Sequence, residues 1–190
     1  KLLGIMTVKG GTNRIVEYFG PGAASISATG KGTITNMGAE LGATTSIFPY
    51  DRRMKTYLDA TNVARSASRA EANRDLLTAD SEVEANPERY FDEIIQIDLD
   101  ALEPHVVGPH SPDLARPVSR MAADVASNGY PDRLTSALIG SCTNSSYEDI
   151  ARAADVAEQA LAHGVKVRAP LWVSPGSEQI EATIDRDGQM

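Results

Sequence analysis

The sequence is poor in cysteine, histidine and aromatic residues. Its 190 residues include a single cysteine, Cys142, together with 3 histidines and 5% aromatic side chains. One cysteine cannot form an intrachain disulfide, which excludes the disulfide-rich secreted domains. We expect a protein of a reducing compartment, in which the thiol is reactive, buried or a metal ligand.

Long apolar runs are also missing. No segment approaches the roughly 18 consecutive apolar residues of a membrane span, and the opening "KLLGIMTVKGG" lacks the features of a secretory signal. These absences predict a soluble intracellular protein with no membrane partner. The first residue is Lys1 rather than Met, and the sequence stops just after a helical pattern, at "TIDRDGQM". Both features predict a piece of a longer protein.

Clusters of basic residues are absent, and the net charge is -8. Between Glu71 and Glu103 there are eleven acidic and two basic residues, a balance of -9, so the rest of the chain carries +1. Such a run is usually a solvated face. Because phosphate contacts need clustered lysine and arginine, a nucleic-acid partner is not expected.

The first half predicts short strands, helices and one irregular connection. Strand candidates are "GIMTV", "RIVEYF" and "EIIQIDL", and helix candidates are residues 28–46 and "DRRMKTYLDAT". Residues 62–88 are expected to form surface helix and loop. The segment "EPHVVGPHSPDLARP" has four prolines, so we interpret it as an interdomain or domain-entry segment.

The second half alternates strand and helix: "LTSALIG", a helix over 146–163, "APLWVS", and a helix in "PGSEQIEATIDRDG". This order predicts a parallel sheet with right-handed crossovers. Ser145 and Glu148 have capping-box spacing, Gly164 is a helix stop, and Ser174 is a predicted N-cap with Pro175 at the first helical position. We predict an α/β fold of two three-layer-like domains or part-domains with mainly parallel sheets, residues 1–100 and 101–190.

The single thiol follows the strand "LTSALIG" directly and precedes the next helix. Ligands collect at the carboxyl ends of parallel strands, where helix N-termini favour thiolate over thiol. From these residues alone, Cys142 is a buried inert thiol, a nucleophile or a metal ligand. As a nucleophile it needs a histidine base, with Asn144 orienting the pair. His105 and His110 are the candidates, because His163 lies about 25 Å away along the helix.

No nucleotide site is predicted. The glycines at 30, 32, 38 and 42 fit neither the dinucleotide fingerprint nor the phosphate-binding loop with its Gly-Lys-Ser/Thr ending. The start of the last helix offers anion-binding geometry, but the same residues make an ordinary helix start.

Several segments together resemble the aconitase family, especially its mitochondrial type. They are "VKGGTNRIVEYFGPG", "TNMGAELGATTSIFPYDRRMKTYL", "EPHVVGPHSPDLARPV", "LIGSCTNSSYEDI", "ALAHGVKV" and "PGSEQIEATIDRDG". The match runs nearly end to end, and residues 62–93 fit least well. "GSCTN" alone is shared with sister hydro-lyases, namely the isopropylmalate isomerase large subunit and homoaconitase, whereas "SSYED" favours aconitase.

The resemblance implies that Cys142 is one of three protein ligands of a 4Fe-4S cluster. The other two form a Cys-x-x-Cys pair that this chain lacks. The chain then holds the family's second domain and the first part of its third, and its partners are the remaining domains and a tricarboxylate. The family interconverts citrate and isocitrate through cis-aconitate, in the bacterial cytoplasm or the mitochondrial matrix.

The resemblance also assigns polar residues to the site. It implies that Asn36 hydrogen-bonds near the cluster, that Glu40 pairs with an active-site histidine, and that Asn144 adjoins the cofactor within "GSCTN". On one helical turn, Asn36 and Glu40 would face one cavity. Without the family, they are a helix-interior amide and a solvent charge. The alternatives are a sister hydro-lyase that acts on isopropylmalate or homocitrate, or a non-catalytic α/β binding module. RNA binding by such a module is disfavoured by the charge count.

Overall fold

A computed structural model describes residues 1–140 and 142–188. The chain divides into two compact units, Lys1–Met121 and Ala122–Met190. The domain boundary that the sequence suggests after residue 100 refers to the domains of the family and stays a prediction. None of the described helices combines the length and the apolar character that crossing a membrane requires.

The first unit is built from short helices and two pairs of strands. The helices are α1 (Leu2–Met6), α2 (Pro21–Ser25), α3 (Ala28–Asn36), α4 (Arg52–Ala60), α5 (Ala64–Ala72), α6 (Arg74–Leu77) and α7 (Ser81–Ala85), with a 3-10 helix at Pro87–Arg89 and another at Val118–Arg120. The strands are β1 (Ile15–Glu17), β2 (Thr45–Ile47), β3 (His105–Val107) and β4 (Ala115–Pro117). β1 pairs with β2 in parallel, and β3 pairs with β4 antiparallel.

Several predicted elements of this unit are confirmed. β1 lies within "RIVEYF", α4 lies within the charged helical segment, and α5, α6 and α7 occupy the predicted surface region. The proline-rich segment 103–117 forms only the short β3–β4 pair. It belongs to the first unit.

Two strand predictions are wrong. "GIMTV" falls largely in α1, where Leu3 is buried and Gly4 lies against Ala115 so closely that a side chain at Gly4 would come within 2.5 Å of the Ala115 Cβ. In "EIIQIDL", Ile95 and Ile97 are half-buried between exposed neighbours, but no described strand pairs with this segment. Alternation of apolar residues therefore produced alternating burial without a hydrogen-bonded ladder.

The small-residue helix is shorter than predicted. α3 begins after its N-cap Ser27, whose Oγ accepts from the Gly30 amide at 3.0 Å, and it ends at Asn36. Residues 37–42 form turns, and Gly42 has a φ of 73°, which favours glycine. β2 then begins at Thr45, so the predicted helix over 28–46 is wrong in its second half.

A buried ion pair joins α3 to the start of α4. The Lys31 side chain is 3% exposed, and its Nζ pairs with Asp51, whose side chain is 20% exposed. Asp51 is also the N-cap of α4, because its Oδ1 accepts from the Met54 amide at 2.9 Å. Burial raises the pKa of the Asp51 carboxyl, but the hydrogen bonds from Lys31 and Met54 outweigh it and hold that pKa below its ordinary value.

The second unit keeps the predicted alternation of strand and helix. Its elements are α8 (Met121–Asn128), β5 (Ala137–Ile139), α9 (Tyr147–Ala162), β6 (Leu171–Val173) and α10 (Glu178–Arg186). β5 pairs with β6 in parallel, with Ala137 opposite Leu171 and Ile139 opposite Val173. The predicted α/β class with parallel strand pairs is confirmed.

The core of this unit is formed where α9 packs against α10. Ile150 is 2% exposed and Ile184 is fully buried. The Tyr147 hydroxyl donates to Asp187 Oδ2 at 2.9 Å, which ties the start of α9 to the end of α10. Farther along α9 the helix is open to solvent, since Leu161 is 72% exposed.

Lys31→Met should destabilise the protein by about 3 kcal/mol, because it leaves the Asp51 carboxylate largely buried without its cation. Asp51→Asn added to Lys31→Met should recover most of that loss, since asparagine keeps the N-cap and carries no charge. The measurement is urea unfolding of the wild type, both single variants and the double variant. Equal stability of Lys31→Met and wild type would contradict this account.

The same pair sets an acid dependence. Because the Asp51 pKa is lower in the folded state, its contribution to stability is present above the ordinary carboxyl pKa and is lost as the pH falls through the folded value. Unfolding curves from pH 6 downwards should therefore show a smaller acid loss in Asp51→Asn than in the wild type.

Candidate functional site

Cys142 lies on the turn that follows β5, at the carboxyl end of the parallel strand pair. Its side chain is exposed, and its Sγ lies 3.7 Å from the Thr143 hydroxyl. The interpretation as a buried inert thiol is therefore wrong. The Asn144 amide donates to the Gly140 carbonyl at 3.4 Å, which closes the turn that carries the thiol.

The helix after this turn begins one residue later than predicted. The N-cap is Ser146, whose Oγ accepts from the Asp149 amide at 3.2 Å, while the Ser146 amide donates to Asp149 Oδ2 at 3.2 Å. The predicted Ser145 and Glu148 capping box is wrong, because Ser145 is buried instead. Glu148 makes an i, i+4 ion pair with Arg152 at 2.6 Å. At the other end of α9 the predicted helix stop at Gly164 is confirmed, since Gly164 follows the C-cap His163 and has a φ of 71°.

The last helix also begins later than predicted. Ser177, not Ser174, is the N-cap of α10, and its Oγ accepts from the Ile180 amide at 3.2 Å. The Ser174 amide donates to the Ile139 carbonyl at 2.9 Å, so Ser174 extends the strand pairing. The loop after β6 thus lies beside the carboxyl end of β5, from which the chain continues to Cys142.

The histidines do not form a nucleophile and base pair with Cys142 inside the second unit. His163, the only histidine in that unit's sequence, is the C-cap of α9, with its Nδ1 2.8 Å from the Gln159 carbonyl. His105 and His110 belong to the first unit, where His105 Nδ1 lies 2.7 Å from the Glu103 carbonyl. His163 therefore lies at the opposite end of α9 from the turn that carries Cys142.

Asn36 and Glu40 lie near each other in sequence but not on one helical turn. Asn36 is the last residue of α3, whereas the Glu40 amide donates to the Met37 carbonyl at 3.2 Å, a turn of the tighter i to i-3 kind. Both side chains are exposed. The predicted i, i+4 helical relation is therefore wrong, because the helix ends between them.

Asn36 lines an open cleft of about 470 Å³ in the first unit. The lining residues are Thr35, Asn36, Gly38, Ala39, Ala43, Thr44, Thr45 and Ser46. Glu40 is not among them. In a turn with three residues per repeat, side chains at i and i+3 lie on the same side, so Ala39 rather than Glu40 lies on the side of Asn36. The hydroxyl residues 44–46 had no predicted role. The run "TTS" is the sequence feature that could have identified them as cleft residues. Behind Gly38, the Ser46 Oγ is buried without a hydrogen-bond partner among the described residues.

The described residues do not bring together three or more His, Cys, Asp or Glu side chains that could hold a metal ion. Cys142 alone offers an exposed thiol for a metal centre. The chain therefore fits the role of supplying one ligand, and residues 1–140 and 142–188 do not form a complete metal site.

The chain is thus a mixed α/β protein with an exposed thiol at the carboxyl end of a parallel strand pair. A model of the family described as "Aconitase family (aconitate hydratase)" matches residues 1–190. The chain belongs to the aconitase family.

The chain is similar to mitochondrial aconitate hydratases of several organisms. It is 53% identical over 190 residues to that of Schizosaccharomyces pombe, 55% identical over 188 residues to that of Gracilaria gracilis, and 53% identical over 191 residues to that of Saccharomyces cerevisiae. These alignments cover 99% or 100% of the chain but only 23% or 24% of the relatives. The chain thus spans about a quarter of their length.

The exposure of Cys142 predicts its reactivity. In the folded 190-residue chain, a thiol reagent should modify one equivalent of thiol at a rate similar to that of the chain unfolded in urea. Cys142→Ser should abolish the reaction. A thiol that reacts only after unfolding would contradict the exposed position.

Proposed function

We propose that this chain is part of an aconitate hydratase, a hydro-lyase that interconverts citrate and isocitrate through cis-aconitate. The observation that carries the proposal is the exposed Cys142 on the turn after β5, in a chain that matches the aconitase family over its whole length. The names of the similar proteins support the same reaction.

In this proposal Cys142 is one protein ligand of a 4Fe-4S cluster, and the other ligands come from parts of the longer protein. Thiolates hold such clusters, and an iron without a protein thiolate supplies Lewis-acid chemistry to a bound substrate. The exposed thiol is suited to this role because a ligand to a cluster completed from elsewhere must be reachable from outside the unit.

Asn36, Asn144 and Glu40 are proposed to supply polar groups around the cluster and substrate. Asn36 and Asn144 are exposed carboxamides, able to donate and accept hydrogen bonds. The exposed Glu40 carboxylate is proposed to pair with a histidine of another part of the longer protein and to set that histidine's orientation and charge.

Exposed apolar side chains support the proposal that more protein packs on the second unit. On β5 and β6, Leu138 is 63% exposed and Trp172 is 65% exposed. Parallel sheets are normally covered on both faces. The remaining domains of the longer protein are therefore the proposed partners, with a tricarboxylate as substrate. The names of the relatives, which read "mitochondrial", support a mitochondrial compartment, for which the matrix is proposed.

Cys142→Ser in the longer protein should abolish cluster assembly, because a hydroxyl is a poor substitute for a thiolate at iron. Iron and sulfide per chain and the brown absorbance are the measurements. Thr143→Ser is the matched control, since it changes the neighbouring side chain but keeps its hydroxyl. An unchanged cluster in Cys142→Ser would refute the ligand assignment.

Turnover of citrate, isopropylmalate and homocitrate by the wild type tests the substrate in the same preparation. We expect conversion of citrate. Preference for either of the other two acids would assign the chain to a sister hydro-lyase.

Glu40→Gln in the longer protein should lower turnover about a hundredfold, the usual effect of losing a positioned acid or base partner, while cluster content stays unchanged. Glu84→Gln is the control, because Glu84 is another exposed carboxylate of the first unit. Wild-type turnover in Glu40→Gln would show that Glu40 is only a surface charge.

A further inference from the structure

The turn that carries Cys142 is packed against the loop that follows β6, residues 174–177. On the strand side, Gly140 has a φ of 147°, and a Cβ at this position would lie 2.7 Å from the Ser174 carbonyl oxygen and 2.8 Å from the Ser174 Cβ. Because backbone cannot move aside as a side-chain tip can, only glycine fits here without a shift of one loop.

A second close approach lies on the helix side of the turn. A Cβ at Gly176 would lie 2.6 Å from the Ser145 Oγ, 3.1 Å from its carbonyl oxygen and 3.3 Å from its Cβ. Ser145 is 7% exposed. The Gly176 amide also donates to the Ser145 carbonyl at 3.0 Å, so contact and hydrogen bond act on the same residue.

These two contacts bracket the thiol along the chain. Gly140 lies two residues before Cys142, and Ser145 lies three residues after it. The Ser174 amide donates to the Ile139 carbonyl at 2.9 Å, which holds the first contact in register with the sheet. A shift of Gly140 or Ser145 away from the loop of residues 174–177 would therefore be taken up in the short segment that carries the Sγ atom.

We propose that the loop of residues 174–177 positions Cys142 for cluster binding, with Gly140 and Gly176 as the positioning residues. The inference rests on the proposed function, since it takes Cys142 as a cluster ligand. Neither glycine contacts the cluster in this proposal. Both act by setting the path of the turn, as residues behind a metal ligand commonly do.

The test is a set of variants in the longer protein, with iron and sulfide per chain as the readout. Gly176→Ala should weaken cluster retention about tenfold or more, the usual effect of disturbing the support of a ligand. Ser145→Ala added to Gly176→Ala should restore part of that retention, because it removes the 2.6 Å contact and leaves the 3.1 Å and 3.3 Å contacts with the Ser145 carbonyl oxygen and Cβ. Ser145→Ala alone should behave as wild type.

Gly32→Ala is the matched control, because a Cβ there meets no atom within 4 Å. Retention is measured as the chelator concentration that removes half of the iron, and thermal unfolding of the cluster-free protein reports stability. Gly140→Ala is a second variant, expected to lose the cluster and not to be rescued by Ser145→Ala, since its contacts are with Ser174.

The outcomes separate this inference from the proposed function. If Cys142→Ser loses the cluster while Gly176→Ala keeps it, the positioning role is refuted and the ligand role stands. If Gly176→Ala loses the cluster but Ser145→Ala does not restore it, the loss is not transmitted through this contact and the inference is overturned. If Cys142→Ser keeps its cluster, the ligand assignment fails and the inference fails with it.

Discussion

The parallel pairing of β5 with β6 is the constraint on which the thiol's position depends. Ile139 lies opposite Val173, so the chain leaves both strands at the same edge of the sheet. One exit leads to Cys142 and α9, and the other leads to residues 174–177 and α10. The two helices pack against each other, and Ile150 on α9 and Ile184 on α10 are both buried.

The first unit places its polar residues by a different device, the early end of a helix. α3 ends at Asn36, Gly38 follows two residues later as a poor helix former, and the turns over 37–42 lead into β2. Asn36 thereby lines the same cleft as the run of hydroxyl residues 44–46. The Lys31 and Asp51 ion pair joins the same helix to the start of α4. α3 therefore carries both a stabilising ion pair and the cleft residue Asn36.

Both units leave apolar strand residues open to solvent. Ile15 is 64% exposed on β1, and Trp172 is 65% exposed on β6. Two-stranded parallel pairs bury too little surface to be stable alone, and they usually form part of a larger covered sheet. The chain spans about a quarter of the length of the similar hydratases. This coverage and the exposed strand residues both agree with the proposed role as part of a longer enzyme.

The sequence by itself determined the local features: the order of strand and helix in the second unit, the turn at Cys142, the stop at Gly164 and the charge distribution. These depend on neighbours within a few residues, so their patterns can be read directly. Tertiary structure decided the rest. Ser145 could cap α9 in sequence, but it is buried beside Gly176, so Ser146 is the cap instead. Likewise residues 93–99 alternate like a strand and have no described partner, because pairing needs a second segment that no local pattern supplies.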